Sequence, residues 1–411
     1  MMNKIIFKIS SQSGVGWYRI HQPVQMINKL GLAKAWHNPF DPRGNKLKSK
    51  KKEAKRAEWY SFELDKNGNP RLTNLFEKLL GKPEKPNYDA VIFQRADVAS
   101  MFSLAMMVRQ AYNIPIIQEV DDYVFAIPGT NPAILSYKDR PTEYRTQGED
   151  PLTIARMSLG TFDGYIVSTP FLKNFYENYS PTYVCPNSID LSKRKQKKKK
   201  KHSDFRIMFS SSATHVDGIR FLMPTIDKFL TKYEDATFYL YKGLYGAIKN
   251  SIKDKPYKKR IKLMDWVHPK DYWNYIQSFS PDVCLAPAAD VLFNRAKSNL
   301  RLLEYWTAGN NAVIASPVES YKNTIIEGKN GLLAKEENEW FEKIEYLYHN
   351  PKIREKLGKG GYETVKKDYN LEKNARKWTD AVQTIIDSYD PDRQPPEQYT
   401  PDYTPRSTGI G

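Results

Sequence analysis

Cysteine is nearly absent from this 411-residue chain, which contains only Cys185 and Cys284. Each sits inside an apolar run that suits a small buried residue, and two such distant thiols supply neither a disulfide framework nor a zinc ligand set. Histidine is also scarce, with six in all and no close His/Cys cluster, which argues against a tightly held structural metal. No run of about 18 uncharged apolar residues occurs, so the sequence offers no candidate for a membrane-spanning helix. The first residues lead directly into a strand pattern without the apolar core of a signal peptide. The expectation is a soluble, cytoplasmic protein, with or without attachment to a membrane surface.

Acidic residues are outnumbered, 47 against 64 Lys and Arg, and the net charge of +17 is concentrated. Seven cations from Lys46 to Arg56 stand against Glu53 alone, and eight more lie from Lys193 to Lys201. Such runs repel themselves into solvated, extended loops. They also attract anionic lipid or nucleic acid without sequence specificity. Both readings stay open.

What is present is an alternation of short β-rich runs with amphipathic stretches. Ile5 to Ile9 is followed by a segment containing Gly14, Gly16 and Arg19, then by a helical pattern of Val24, Ile27 and Leu30 stopped at Gly31. Strand, glycine loop and helix form the opening unit of a Rossmann-like domain. The Gly-x-Gly spacing suits a phosphate loop and equally any tight strand-to-helix turn. Residues 41–87, rich in charge, Pro and Gly, read as an insertion, partly helical around Leu72 to Leu80. Ala90 to Phe93 and Pro115 to Ile117 read as buried strands flanking a helix near Met101 to Tyr112, whose methionines suit core filling. Asp121 and Asp122 follow at the end of the sheet where open α/β folds bind ligands. Adjacent carboxylates there could bind acceptor hydroxyls, act as a base, hold a divalent cation, or cap a turn.

The densest signal runs from Lys297 to Gly309, followed by Ala312 to Pro317. A polar start, apolar positions at Leu300, Leu303 and Trp306, a glycine stop and a β-rich run read as loop, helix, turn and buried strand. A helix N-terminus offers free N–H groups to a phosphate, and Lys297, Ser298 and Asn299 stand where they could add to it. This segment resembles the donor-binding signature of GT-B glycosyltransferases and is similar to that of the retaining family 4 (group 1). Asp282 to Pro287, Ile326 to Leu333 (a hairpin in the family), Tyr362 to Tyr369, Gly164 to Leu172 and Tyr183 to Asp190 resemble further family segments in the expected order.

The resemblance implies an α/β fold of GT-B type, two Rossmann-like domains with parallel sheets facing a central cleft. The first domain would be residues 1–190, completed by a C-terminal helix at 371–389, and would carry the acceptor. A basic linker at 191–203 would lead to a nucleotide-sugar domain at 204–370, and 390–411 would form a disordered tail. Glu304 would hold the donor ribose, Val267 would lie where the base is read, and Gly14, Gly16 and Arg19 would face the cleft. Ser212 and His215 occupy the loop where relatives clamp the diphosphate with Arg and Lys. The family's Glu-x7-Glu pattern is broken, because Ala296 stands eight residues before Glu304, and Asp290 or Asn294 could substitute from the preceding loop. The expected activity is sugar transfer from a nucleotide sugar to a hydroxyl acceptor, with retention, without metal or cofactor, with Asp121, Asp122 and Lys297 as catalytic groups. A glycan, lipid-linked or nucleic-acid acceptor fits. Transfer to hydroxylated DNA bases, favoured by the lysine tracts, and a degenerate binding protein, favoured by Ala296, are the alternatives.

Overall fold

The computed structural model describes residues 3–9, 13–37, 62–64, 70–72, 74–97, 99–129, 131, 152–194 and 201–393. The first basic tract, residues 195–200 of the second, parts of the expected insertion and the tail from 394 lie outside the described residues.

Strands β1 (Lys4–Lys8), β2 (Lys34–His37), β3 (Ala90–Gln94), β4 (Ile116–Val120), β5 (Gly164–Val167) and β6 (Thr182–Val184) form a six-stranded sheet. Its spatial order is β6-β5-β4-β3-β1-β2. A second six-stranded sheet contains β7 (Phe205–Phe209), β8 (Ala236–Tyr241), β9 (Ile261–Met264), β10 (Val283–Ala286), β11 (Ala312–Ala315) and β12 (Leu332–Leu333). Its order is β9-β8-β7-β10-β11-β12. Neighbouring strands in both sheets are parallel. Parallel strands need crossovers that cover both faces, which is why β3, β4, β10 and β11 are buried at every position and are largely apolar.

On one face of the first sheet, α1 (Gln22–Lys29) and α9 (Leu371–Asp387) pack Val24, Ile27, Trp378 and Val382 against Ile5, Phe7 and Ile92. On the other lie α2 (Ala99–Tyr112), with Met101 in the core, and α3 (Pro170–Tyr176). The second sheet carries α4 (Val216–Lys232) and α7 (Glu337–His349) on one face. Its other face carries α5 (Tyr272–Phe279) and α6 (Leu300–Gly309), with α8 (Pro351–Asp368) against α6. The two passages between the sheets run side by side: Ile189 N–H donates to Tyr369 O at 2.8 Å and Leu371 N–H to Ile189 O at 2.9 Å. That pairing delivers α9 back to the first sheet.

Three local readings are corrected. The glycine loop is shorter than expected, because Ser13 caps a helical turn that already starts at Gly14, and Trp17–His21 widens into a π-type turn before α1. Gly309 remains helical, and α6 is stopped by Asn310, which adopts the left-handed conformation at φ 52° that Asn tolerates better than most residues. Residues 326–331 form a turn closed by Asn330 Oδ1 on Ile326 N–H at 2.7 Å, and Leu332–Leu333 then runs parallel to β11, so the segment is not a hairpin.

The chain's reversal after α6 lies directly under α8. A Cβ on Gly358 would fall 1.8 Å from Asn310 O, and one on Gly361 2.1 Å from Trp306 Cδ1. Backbone cannot yield as a side-chain tip can. Gly358→Ala should therefore destabilise the fold by about 2 kcal/mol or more in chemical denaturation; a loss below about 0.5 kcal/mol would show that the helices are farther apart.

Candidate active site

The carboxyl ends of the first sheet meet the start of α6. Thr169, just past β5, caps α3 and also donates from Oγ1 to Ala296 O at 3.0 Å. Asn187, past β6, donates from Nδ2 to Ser298 Oγ at 2.7 Å, with Asp121 Oδ1 3.4 Å from the same nitrogen. Lys297 Nζ pairs with Asp122 Oδ1 at 2.9 Å, its side chain 24% exposed, and lies 4.3 Å from the Phe293 ring. Burial works against ionisation of Asp122, but the Lys297 ammonium, helped by Arg95, outweighs it and holds this carboxyl below its ordinary range. Asp121 shifts the other way: burial, opposed by Arg19 and reinforced by the Asp122 charge, pushes it up.

One turn further along α6, the Glu304 carboxylate lies beside the Tyr18 hydroxyl from the first domain. Tyr18 in turn accepts from Trp273 Nε1 at 2.9 Å. Glu304 thus faces the crevice between the sheets. Burial lifts its pKa to about 7 against the opposing effects of Arg301 and the Tyr18 hydroxyl.

The second sheet reverses its order between β7 and β10, the kind of switch point where doubly wound sheets bind ligands. Ser210, just past β7, is held there by three side chains. Tyr305 Oη accepts from Ser210 N–H at 3.0 Å, Tyr272 Oη donates to Ser210 Oγ at 2.9 Å, and Arg301 Nη1 donates to Ser210 O. Arg301 Nη2 also lies 3.2 Å from His215 Nε2. His215 precedes α4 and caps it without a side-chain bond. Burial, together with the Arg301 and Lys297 charges, keeps its imidazole pKa well below the ordinary value, so it is neutral.

Several expected residues lie elsewhere. Arg19 is fully buried in the first domain, bonded from Nε to Glu119 Oε1 at 2.6 Å and from Nη1 to Cys185 O, with the guanidinium 4.8 Å from the Trp378 ring. It therefore does not face the crevice. Gly16 is buried in the helical turn that Gly14 begins. Asn299 is buried and turned to Thr324 Oγ1 at 2.8 Å. Asp290 is exposed and held by Arg295 at 2.7 Å, and Asn294 Nδ2 bonds Ala289 O, so both serve their own loop. Ser212 is exposed and bonded to Thr214, while Val267 is partly buried beyond β9. At the edge of the second basic tract, Arg194 is docked rather than solvated, bonding Thr307 O at 2.8 Å and Asn310 Oδ1 at 2.7 Å and lying 3.7 Å from the Tyr362 ring. A cation there complements the negative end of α6. Tyr18, Thr169, Asn187 and Arg301 were not singled out from sequence, since their roles depend on partners far along the chain. Among the described residues, no group of three or more His, Cys, Asp or Glu gathers as a cation site, and no helix is long and apolar enough to cross a membrane.

Two parallel doubly wound sheets with a crevice between their carboxyl ends define the GT-B class. Residues 229–380 match the family model described as glycosyl transferase-like, and the chain has the GT-B fold. It is similar over 94% of its length to all of a sucrose-phosphate synthase from Thermosynechococcus elongatus, at 14% identity and a TM-score of 0.63. A glycosyltransferase from Rickettsia africae gives the same coverage and identity with a TM-score of 0.60. HepE of Anabaena, solved with UDP and glucose, is 11% identical with a TM-score of 0.54, covering 93% of this chain and 100% of that one. No curated protein matches the sequence.

The Lys297–Asp122 pair joins the two halves, and its contribution should be measurable. A double-mutant cycle with Lys297→Ala and Asp122→Ala should give a coupling of about 0.5–1 kcal/mol at pH 7, given its partial exposure. Because the Asp122 pKa is depressed in the fold, the coupling is fully present above its ordinary 3.8 and disappears as pH falls through the lowered value. Strict additivity at pH 7 would show that the pair contributes nothing.

Proposed function

We propose that this protein transfers a glycosyl group from a nucleotide sugar to a hydroxyl acceptor, with retention at the anomeric carbon. The observation that carries the reading is Glu304, a carboxylate turned into the crevice on a helix whose N-terminal segment meets Asp121 and Asp122 across it. In this reading the ribose diol replaces or joins Tyr18 on Glu304, and the diphosphate lies toward the N-terminal end of α6. The acceptor approaches from the first sheet, where Asp121 is free of the ion pair that engages Asp122. HepE was solved with UDP and glucose, which supports a nucleotide-sugar donor of this kind.

When the bond between the anomeric carbon and the diphosphate oxygen breaks, negative charge grows on the departing phosphate. Lys297 and the open N–H groups of α6 stabilise that charge more as it develops, which lowers the barrier. This reading gives the electrophilic role to protein cations rather than to a metal or cofactor. The acceptor hydroxyl supplies the new bond to carbon, and its proton leaves to the departing phosphate.

Glu304 makes the reading testable through opposite effects on stability and binding. Its folded pKa of about 7 lies above the ordinary 4.5, so the folded state retains a proton that the unfolded state has lost, and stability falls as pH rises across that window. Glu304→Gln should thus stabilise the ligand-free protein at pH 8, by at most about 3 kcal/mol, and by little at pH 4. In thermal-shift measurements with UDP-, GDP-, ADP- and CMP-sugars, one donor at about 100 times its dissociation constant should stabilise the wild type by about 2.7 kcal/mol. The Gln variant should lose most of that shift. No shift with any donor would overturn the reading.

A further inference from the structure

We propose that Arg301 is the main contact to the donor's diphosphate, assisted by the Ser211 hydroxyl and held in place by His215. The assignment rests on the nucleotide-sugar reading of the same crevice and names the group that receives its phosphates.

The first ground is charge without a counterion. Arg301 is partly buried at the switch point of the second sheet, and although the Glu304 charge acts on it from a distance, among the described residues no carboxylate comes within ion-pair distance of it. Its partners are neutral: the Ser210 carbonyl, the His215 imidazole and the Phe209 ring at 5.9 Å. Buried guanidinium groups are ordinarily paired, because desolvation of an unpaired charge is costly. The guanidinium has five N–H donors, and Ser210, His215 and Tyr305 engage three at most. The planar fork with donors to spare matches a phosphate.

The second ground is independent of that charge. Ser211, the next residue after the one that Arg301 holds, is 8% exposed, and its Oγ has no protein partner. A hydroxyl removed from water ordinarily finds an acceptor or donor. After it, a 3-10 turn at Ala213–His215 leads into α4, whose start has no side-chain cap. A buried hydroxyl, an uncapped helix start and an unpaired guanidinium thus converge on the end of β7.

Position along α6 supplies the third ground. Arg301 and Glu304 are three residues apart and share one helical face. A nucleoside gripped at Glu304 with its chain running toward the helix N-terminus brings its phosphates past Arg301. The loop from Ser210 to His215 contains no Arg or Lys, so the cation comes from this helix instead. Arginine has no lone pair to offer, so His215 Nε2 accepts from Arg301 and the imidazole carries its proton on Nδ1. His215 thereby orients the fork as a positioning residue.

Calorimetric titration of the full chain with UDP beside uridine, and GDP beside guanosine, separates phosphate recognition from nucleoside recognition. The wild type should prefer one diphosphate over its nucleoside, and Arg301→Gln should weaken that diphosphate roughly 10- to 100-fold while leaving the nucleoside unchanged. Arg301→Lys, which keeps the charge and guards against a folding defect in the Gln variant, should recover part of the loss. Ser211→Ala should cost the diphosphate a few-fold and the nucleoside nothing. Glu304→Gln should weaken both ligands alike. Equal losses for diphosphate and nucleoside in the Arg301 variants, or an unchanged ratio, would overturn the assignment while leaving the nucleotide-sugar reading standing. A wild type that binds none of the four ligands and shows no thermal shift with any UDP-, GDP-, ADP- or CMP-sugar would remove both.

Discussion

The meeting of Ala296, Lys297 and Ser298 with the carboxyl ends of β4, β5 and β6 is the contact on which the rest of the molecule depends. Each of the three residues has its own partner in the first domain: the Thr169 hydroxyl on the Ala296 carbonyl, the Asp122 carboxylate on Lys297, and the Asn187 amide on Ser298. These are directional bonds in a partly dry environment, where losing one partner costs more than the bond itself contributes. They hold the N-terminal end of α6 over the first sheet. A helix terminus and a row of strand ends, both ligand-binding features in isolation, are thereby brought to the same crevice.

α6 can serve this crevice because its two faces are chemically separate. Leu302, Leu303, Trp306 and Ala308 are buried in the second domain's core, and Gly361 lets α8 approach Trp306 closely. Arg301 reaches Ser210 and His215 past β7, and Glu304 lies beside Tyr18 of the first domain. Burying a helix this thoroughly fixes its rotation, so the two charged groups are aimed by core packing rather than by their own bonds. The cost is visible in their neighbours: burial raises Glu304 to about 7 and keeps His215 neutral. Both groups sit where a polar ligand would relieve them.

The parts legible in the sequence were those whose signal is local. β10 and β11 are continuous apolar runs because parallel strands are covered on both faces, β1 and β7 are mainly apolar, and α6 announces itself through its apolar stripe and its terminal turn. Glu304 was legible because it belongs to that helix, and Lys297 because it stands just before the helix's start. Arg19 was misleading for the opposite reason: its partner Glu119 lies 100 residues away, and nothing in a glycine-rich stretch reveals that the side chain turns inward. Arg194 was hidden in a lysine run, although a planar guanidinium can stack on Tyr362 and cap a helix as a solvated ammonium does not. Arg301 looked like an ordinary polar position of an amphipathic helix. Only the fold brings Ser210 and His215 beside it.

The same contact accounts for the departure at Ala296. That residue is fully buried within the first domain's apolar cluster, and its carbonyl is engaged by Thr169. A glutamate at this position would bury a carboxylate among apolar side chains, where its charge is strongly disfavoured. Alanine is therefore what lets the two sheets close against each other here, and a carboxylate directed from this position to a donor sugar is incompatible with that closure. Asp290, in the preceding loop, is exposed and tied to Arg295. In the proposed reading, recognition of the sugar hydroxyls falls to other groups at the crevice, where Asp121, Asp122 and Asn187 of the first domain lie beside Lys297 and Ser298. In that reading, sugar recognition is therefore divided between the two domains, and the contacts that join them at Ala296, Lys297 and Ser298 also shape the donor site.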